Sequence, residues 1–117
     1  MTIDELKQLA VNALEDLKAE DILVLDVKGK TTVTDWIIVA TGSSGRHVRS
    51  IANSGAVKAK KTNAWFMGSE GEEDGEWVLV DLGDVIVHVM QRQAREYYDL
   101  ESLWSVDIAH RQNQDAF

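Results

Sequence analysis

The sequence predicts an α/β fold (α+β-like) with three helices and five short strands in one domain. Residues 3–18 repeat apolar side chains at helical spacing, which is typical of an amphipathic helix. Residues 22–27 and 36–40 are short apolar runs of the kind that form strands, and residues 77–90 have the pattern of a β-hairpin. A chain of 117 residues that is 44% apolar can bury a core without disulfides or metals.

The first predicted helix begins with a capping box. Thr2 occupies the N-cap position and Glu5 follows three residues later, so each side chain can bond to the other residue's backbone amide. The apolar positions behind this box are Ile3, Leu6, Leu9, Ala10, Ala13, Leu14 and Leu17. Their spacing places them along one side of a helix, which we expect to pack against the rest of the domain.

The first two strands are joined by a short connection, so we expect them to be antiparallel neighbours. The second of them is continuously apolar, which indicates a strand that is buried on both faces. A tight loop at residues 41–45 leads into a helix at residues 46–61, which Ser54 and Gly55 weaken in its middle.

The second half of the chain contains weaker elements around one strong hairpin. A third strand is predicted at residues 64–67, an acidic, glycine-rich loop at residues 68–75, and a last helix at residues 91–104. The tail at residues 105–117 is mostly polar and lacks periodicity, so we expect it to be disordered. The predicted domain therefore spans residues 1–104.

The hairpin consists of two apolar segments joined by Gly83 and Asp84. A two-residue loop that begins with Gly suits a type II′ turn, and this turn fixes the register of the strands. One face then carries only aliphatic side chains, namely Val78, Val80, Leu82, Val85, Val87 and Val89. The opposite face pairs Trp77 with Met90, Leu79 with His88, and Asp81 with Ile86.

This opposite face, called the mixed face below, is the candidate binding surface. Its members are Trp77, Leu79, Asp81, Ile86, His88 and Met90. Tryptophan and methionine are enriched in recognition surfaces, which favours binding to a partner. The alternative is a half-buried sheet face packed under a helix, with Asp81 and His88 satisfied locally.

The charge of the chain is unevenly distributed. The formal net charge is −8, and residues 62–91 contain no Lys or Arg. The acids of this stretch are Glu70, Glu72, Glu73, Asp74, Glu76, Asp81 and Asp84. Such a surface repels phosphate backbones and attracts basic proteins. The alternative is that these charges only keep the protein soluble.

The composition excludes several classes of site. The chain has no cysteine, so it has neither disulfides nor thiolate metal sites, and its three histidines are scattered. We therefore predict no metal and no cofactor. The first 20 residues lack the apolar core of a signal peptide, and no run of 18 apolar residues exists. The lack of cysteine fits a reducing compartment, and we expect a cytoplasmic protein.

A nucleotidyltransferase-like enzyme is one alternative function. It would need a Gly-Ser motif and carboxylates that hold two divalent metal ions. Gly42 and Ser43, followed by Asp81 and Asp84, offer those residue types. Two ligands on one strand should lie two residues apart, whereas Asp84 falls in the turn. We therefore predict no catalytic residue.

Two further alternatives concern binding. An open mixed face could self-associate, which would make the chain a dimerisation module. The loop at residues 41–45 could hold an anion at a helix N-terminus. Capping of that helix by Ser43 or Ser44 is the simpler interpretation.

Two motifs in the second half of the chain are specific. They are Asp-Leu-Gly-Asp-Val-Ile-Val-His-Val at residues 81–89 and Leu-Glu-Ser-Leu-Trp at residues 100–104. The pattern also includes residues 21–27, Thr34, Asp35, residues 40–42 and 46–48, Glu70, Gly71, Trp77, Val80, Met90, Arg95 and Tyr98. Over residues 3–104 this pattern resembles the ribosomal silencing factor family, also called Iojap-related.

The resemblance implies a mixed five-stranded sheet with helices, similar to nucleotidyltransferase domains, and a function that is not enzymatic. It implies binding to the large ribosomal subunit through ribosomal protein L fourteen, at the face that meets the small subunit. Translation would thereby be damped when nutrients are short. The resemblance adds Tyr98 to the candidate binding residues. A peripheral rRNA contact and a homodimer off the ribosome are left open.

Overall fold

The computed structural model describes residues 1–62, 66 and 68–105. Its elements are α1 (Ile3–Asp16), β1 (Glu20–Asp26), β2 (Trp36–Gly42), α2 (Gly45–Lys61), β3 (Gly68–Glu70), β4 (Trp77–Asp81), β5 (Val85–Gln91), α3 (Arg92–Tyr98) and α4 (Glu101–Ser105). Most of the strand predicted at 64–67, and the predicted tail beyond residue 105, lie outside the described residues.

The five strands form one sheet in the order β1-β2-β5-β4-β3. The β2–β5 pair is parallel, and the other three pairs are antiparallel. The predicted mixed five-stranded sheet is therefore confirmed, as is the antiparallel pairing of the first two strands. Every residue of β2 after Trp36 is buried, as predicted for a strand that is covered on both faces. The central strand β5 is fully buried on one face and only half-buried at Ile86 and His88 on the other.

The first helix follows the sequence prediction closely. Thr2 N donates to Glu5 Oε1 at 2.7 Å, and Glu5 N donates to Thr2 Oγ1 at 3.1 Å, so the capping box is present. The helix ends at Asp16, two residues before Lys18, whose φ of 60° lies in the left-handed region. Its buried side chains, Leu6, Ala10, Ala13 and Leu14, are among the predicted apolar positions.

The long helices α1 and α2 cover one face of the sheet, which we call the helix-covered face. Its buried strand residues are Ile38, Ala40, Val78, Val80, Val87 and Val89. Ser44 caps α2 by accepting a hydrogen bond from His47 N at 3.1 Å, which agrees with the capping interpretation. The helix continues through Ser54 and Gly55 without a break.

The other side of the sheet has a smaller core beneath the short helix α3. Its buried members are Leu25, Val27, Ile37, Val39, Met90 and Ala94. Leu23, Trp77 and Leu100 are partly buried against this core. The sheet is thus covered by long helices on one side and by a short helical segment on the other.

Two predicted boundaries were wrong. Thr41 and Gly42 were expected in a loop, but they extend β2, because Thr41 pairs with Met90 and Gly42 with Gln91. A Cβ at residue 42 would lie 2.6 Å from Val48 Cγ2, so this strand end requires glycine for its close approach to α2. Similarly, β3 occupies residues 68–70, where the acidic loop was expected to begin.

The last predicted helix, at residues 91–104, is wrong as a single element. Gln91 still belongs to β5, and the helical segment divides into α3 and α4. Asp99 lies between them in the left-handed conformation with a φ of 49°, and its amide donates to Arg95 O at 2.9 Å. This αL residue closes α3 in the manner of a helix C-cap.

Candidate functional site

The hairpin has the predicted register. Val78 lies opposite Val89 and Val80 opposite Val87, while Leu82 N donates to Val85 O at 2.9 Å across the turn. Gly83 has a φ of 84°, as a turn of this kind requires. The alternation of faces is therefore established, and all six aliphatic residues are buried.

The mixed face consists of the predicted pairs Trp77–Met90, Leu79–His88 and Asp81–Ile86. Met90 is completely buried, whereas the other five side chains are half-buried. Asp81 Oδ1 accepts a hydrogen bond from Gly83 N at 2.8 Å, so this carboxylate also stabilises the turn. The Met90 end is packed under α3, as the alternative interpretation anticipated, while the rest of the face reaches solvent.

Four rings form a continuous row at one end of this face, which we call the aromatic cluster. The Trp77 ring centroid lies 4.7 Å from that of Tyr98 and 5.8 Å from that of His88. Tyr97 meets Tyr98 edge-on at 5.0 Å. Tyr98 is 48% exposed and Tyr97 is 81% exposed, so the row runs from half-buried to open surface. Paired rings of this kind stabilise each other's positions.

His88 is held as a neutral imidazole. Burial lowers the pKa of His88 to about 4. Trp77 Nε1 lies 3.0 Å from His88 Nδ1. An indole N–H can only donate, so Nδ1 accepts this bond and the imidazole proton resides on Nε2. His88 thereby fixes the orientation of the Trp77 ring.

Tyr97 and Arg95 were not among the predicted site residues. Tyr97 could have been noticed as an aromatic residue beside Tyr98, because consecutive helix residues cannot both face the core. Arg95 is only 8% exposed and fixes α3 to the sheet, a role that depends on tertiary contacts and left no local signal.

The acidic loop is anchored beside Trp77. A Cβ at Gly71 would lie 2.1 Å from Trp77 O, so the two backbones are in direct contact there. Gln91 Nε2 donates to Gly75 O at 3.1 Å, and Arg49 Nη1 lies 3.5 Å from Glu73 O. The carboxylates of Glu72, Glu73 and Asp74 are exposed in this anchored loop.

The residues of the hypothetical nucleotidyltransferase site do not meet. Gly42 pairs with Gln91 at one end of the sheet, and Asp81 pairs with Ile86 at the other. Five residues along β5 separate these levels, which corresponds to roughly 17 Å. Within residues 1–62, 66 and 68–105, no group of three or more His, Cys, Asp or Glu side chains could hold a metal ion.

His47 has a structural role. Its Nδ1 accepts from Ser43 N at 2.8 Å, and its Nε2 lies 2.7 Å from Leu17 O at the end of α1. These contacts connect the start of α2 with the end of α1. In the described part of the chain, no helix is long and apolar enough to cross a membrane.

Comparison with known proteins identifies the family. The family described as "Ribosomal silencing factor during starvation" matches residues 1–116. The ribosomal silencing factor of Chromobacterium violaceum is 53% identical over 89% of this chain and 85% of its own length. A crystal structure of a protein from the same organism superimposes with a TM-score of 0.88 at 52% identity, covering 90% of this chain and 88% of that one.

A more distant relative comes from mouse. The protein named "Mitochondrial assembly of ribosomal large subunit protein 1" is 30% identical over 84% of this chain, which corresponds to 44% of the mouse protein. The match to the family thus extends over nearly the whole chain and includes the hairpin and the aromatic cluster. The chain belongs to the ribosomal silencing factor family.

Proposed function

We propose that this protein docks on the large ribosomal subunit through ribosomal protein L fourteen and blocks joining of the small subunit. It would thereby damp translation when nutrients are short. The observation that carries the proposal is the aromatic cluster on the open part of the mixed face. Family membership and the name of the mouse relative, which refers to the large ribosomal subunit, support the choice of partner.

The proposed docking surface has the composition of an interaction hot spot. Trp77 is half-buried, and its ring packs against that of Tyr98, which is 48% exposed. Aromatic anchors of this kind carry most of the energy in many interfaces. Leu79, Asp81, Ile86 and His88 would surround them. Met90, which does not reach the surface, would support Trp77 from the neighbouring strand.

Charge would assist this encounter. Ribosomal proteins are generally basic, and the exposed acids of the anchored loop lie beside Trp77. Complementary charges raise the association rate more than they raise affinity. We propose that the acidic loop steers a basic partner toward the aromatic cluster, and that the protein acts in the cytoplasm by occupancy and not by catalysis.

A subunit-joining experiment tests this proposal. The protein is added either to separated ribosomal subunits or to joined ribosomes, and the products are resolved on sucrose gradients. We expect joining of free subunits to be reduced, with the protein comigrating with the large subunit. Joined ribosomes should be affected much less, because the proposed site is then covered.

Two results would contradict the proposal. One is the absence of a stable complex with purified large subunits in size-exclusion chromatography. The other is that the protein dissociates joined ribosomes as strongly as it prevents free subunits from joining, because blocking by occupancy requires an accessible site. A protein that elutes only as a dimer would favour the dimerisation alternative.

A further inference from the structure

We infer that Arg95 is a positioning residue of the docking surface: its buried guanidinium holds α3 so that Tyr98 rests on Trp77. This inference rests on the proposed function, because it assigns to Arg95 an effect on docking. Arg95 itself is 8% exposed and points from α3 toward the sheet, so it is not expected to touch the partner. Its effect would be transmitted through Tyr98.

The guanidinium of Arg95 joins three elements to α3. Its Nη1 donates to Asp21 O at 2.5 Å in β1 and to Thr41 Oγ1 at 2.8 Å in β2. Its Nε donates to Glu101 Oε2 at 3.1 Å in α4. A buried charge is costly unless it is paired and hydrogen-bonded, so this set of acceptors defines one preferred position for the side chain.

The acceptor on β1 is created by an irregularity of the edge strand. The register of β1 against β2 shifts between Glu20 and Leu23, and Asp21 has a φ of 49°. This bulge takes Asp21 out of the regular pairing and directs its carbonyl toward Arg95. The bulge therefore serves a specific contact with α3.

The position of Tyr98 depends on this contact because the other attachments of α3 are weaker: Ala94 is a small core side chain, and Arg92 pairs with β1 only at the exposed surface. The helix has seven residues, no side-chain cap at its N-terminus, and only Ala94 and Arg95 buried. A helix of this length is not stable by itself in water. Tyr98 follows Arg95 by one turn, and its ring lies 4.7 Å from that of Trp77.

A double-mutant cycle on the full chain tests whether Arg95 acts through Tyr98. Binding to purified large ribosomal subunits is measured for Arg95→Gln, for Tyr98→Ala and for the double variant. We expect Arg95→Gln to weaken binding about tenfold in the parent chain. In the Tyr98→Ala background we expect less than a twofold further loss, because the positioned ring is already gone.

Arg92→Gln is the matched control. Arg92 lies on the same helix, and the substitution removes the same charge, but its side chain is 49% exposed and pairs with Glu20 and Asp21 at the surface. Exposed ion pairs contribute little. We therefore expect Arg92→Gln to change binding by less than about twofold. A loss as large as that of Arg95→Gln would indicate that the lost positive charge, and not the buried contacts, weakens binding.

A second readout in the unbound protein follows the ring geometry directly. The Trp77 ring should shift the NMR resonances of the Tyr98 ring protons, since the two rings are in contact. We expect this shift to shrink in Arg95→Gln and to persist in Arg92→Gln. Should Arg95→Gln fail to fold, Thr41→Val is used instead, since it removes one buried acceptor of Arg95 without altering α3.

The outcomes separate this inference from the proposed function. Equal losses of binding with and without Tyr98, or an unchanged Tyr98 ring shift in Arg95→Gln, would overturn the positioning role. If the parent chain does not bind large subunits, the proposed function fails. The ring shift alone would then show whether Arg95 holds Tyr98 against Trp77, but its role in docking would fall with the proposed function.

Discussion

The two faces of the sheet are built from the same strands but are buried in different ways. The helix-covered face packs aliphatic side chains against α1 and α2, and Val78, Val80 and Val89 are almost completely inaccessible. The mixed face is covered only near Met90, by α3, and its other hairpin residues remain half-buried. Alternation along β4 and β5 thus separates a stabilising surface from a surface that is available to a partner.

The difference between the faces extends to polar chemistry. The helix-covered core cluster consists of apolar side chains, whereas the mixed face contains His88 and Asp81, each with a hydrogen-bond partner inside the protein. A satisfied polar group can remain half-buried at modest cost, and it also fixes the geometry of its neighbours. The consequence is a fixed orientation of the Trp77 ring, which would favour the proposed docking.

The largest expected effect is a pH dependence that arises from His88 on the mixed face. Burial lowers the pKa of His88 to about 4, below the ordinary value of 6.5. Above about pH 7.5 the imidazole is almost entirely neutral in both states and contributes little pH dependence. As the pH falls from 6.5 to 4, the unfolded chain binds the proton first, so the free energy of unfolding should drop by roughly 3 kcal/mol.

Chemical denaturation at several pH values measures this loss, and His88→Gln is the control. Glutamine does not titrate and can still accept the Trp77 N–H bond. Carboxylates titrate in both proteins, so the difference between the two curves isolates His88. Parallel curves for the parent and His88→Gln between pH 6.5 and 4 would contradict the prediction.

Truncation of the aromatic anchor should separate binding from folding. Trp77→Ala is expected to cost about 2 kcal/mol or more of binding to the large subunit, which is roughly thirtyfold. The domain should remain cooperatively folded, because the helix-covered core is unchanged. Some stability should be lost, since Trp77 packs on the core around Met90 and donates to His88.

Trp36→Ala is a control of equal size on the other face. Trp36 packs against the helix-covered core, with Lys7 and Lys28 near its ring. Its removal should lower the melting temperature while changing binding by less than about threefold. Thermal melts and large-subunit pull-downs of both variants are compared. If Trp77→Ala binds like the parent chain, the mixed face is not the docking surface.

A smaller truncation on the helix-covered face should have the opposite profile. Val80 is buried between the sheet and the two long helices, where it lines a small cavity. Val80→Ala enlarges that space and should lower the free energy of unfolding by roughly 2 kcal/mol. Binding of the folded fraction should be unchanged. A binding loss comparable to that of Trp77→Ala would mean that the two faces are not independent.

The same comparison explains which features the sequence could predict. The two-residue turn that begins at Gly83 predicted the hairpin register. The alternation of side chains along the two strands then predicted which residues lie on the helix-covered face and which on the mixed face. The break at Asp99 was not predicted, because no glycine or proline marks it. The burial of Arg95 also escaped prediction, since two of its three acceptors, Asp21 O and Thr41 Oγ1, are more than 50 positions away in the chain. The local pattern of apolar residues predicts regular helices and strands. Long-range contacts such as those of Arg95 form only when the chain folds, so they leave no such pattern.

Neutralising the acidic loop should have the smallest effect of these changes, and it should act mainly on the rate of association with the large subunit. Neutralising Glu70, Glu72, Glu73 and Asp74 is expected to lower the association rate constant by several-fold at low salt, with little change in dissociation. Screening should remove most of the difference near 1 M salt, where the Debye length is about 3 Å. Stopped-flow or surface-based kinetics with large subunits at several salt concentrations would measure both rates.

A matched pair of variants separates loop position from net charge. Glu73→Gln with Asp74→Asn removes two charges from the anchored loop beside Trp77, and Asp4→Asn with Glu15→Gln removes two exposed charges from α1. If the loop steers the partner, the first pair should slow association and the second should have little effect, because focused charge near the contact acts more strongly than distant charge. Equal slowing of association by both pairs would indicate an effect of overall net charge. If neither pair slows association, the charges of the loop serve only to keep the protein soluble.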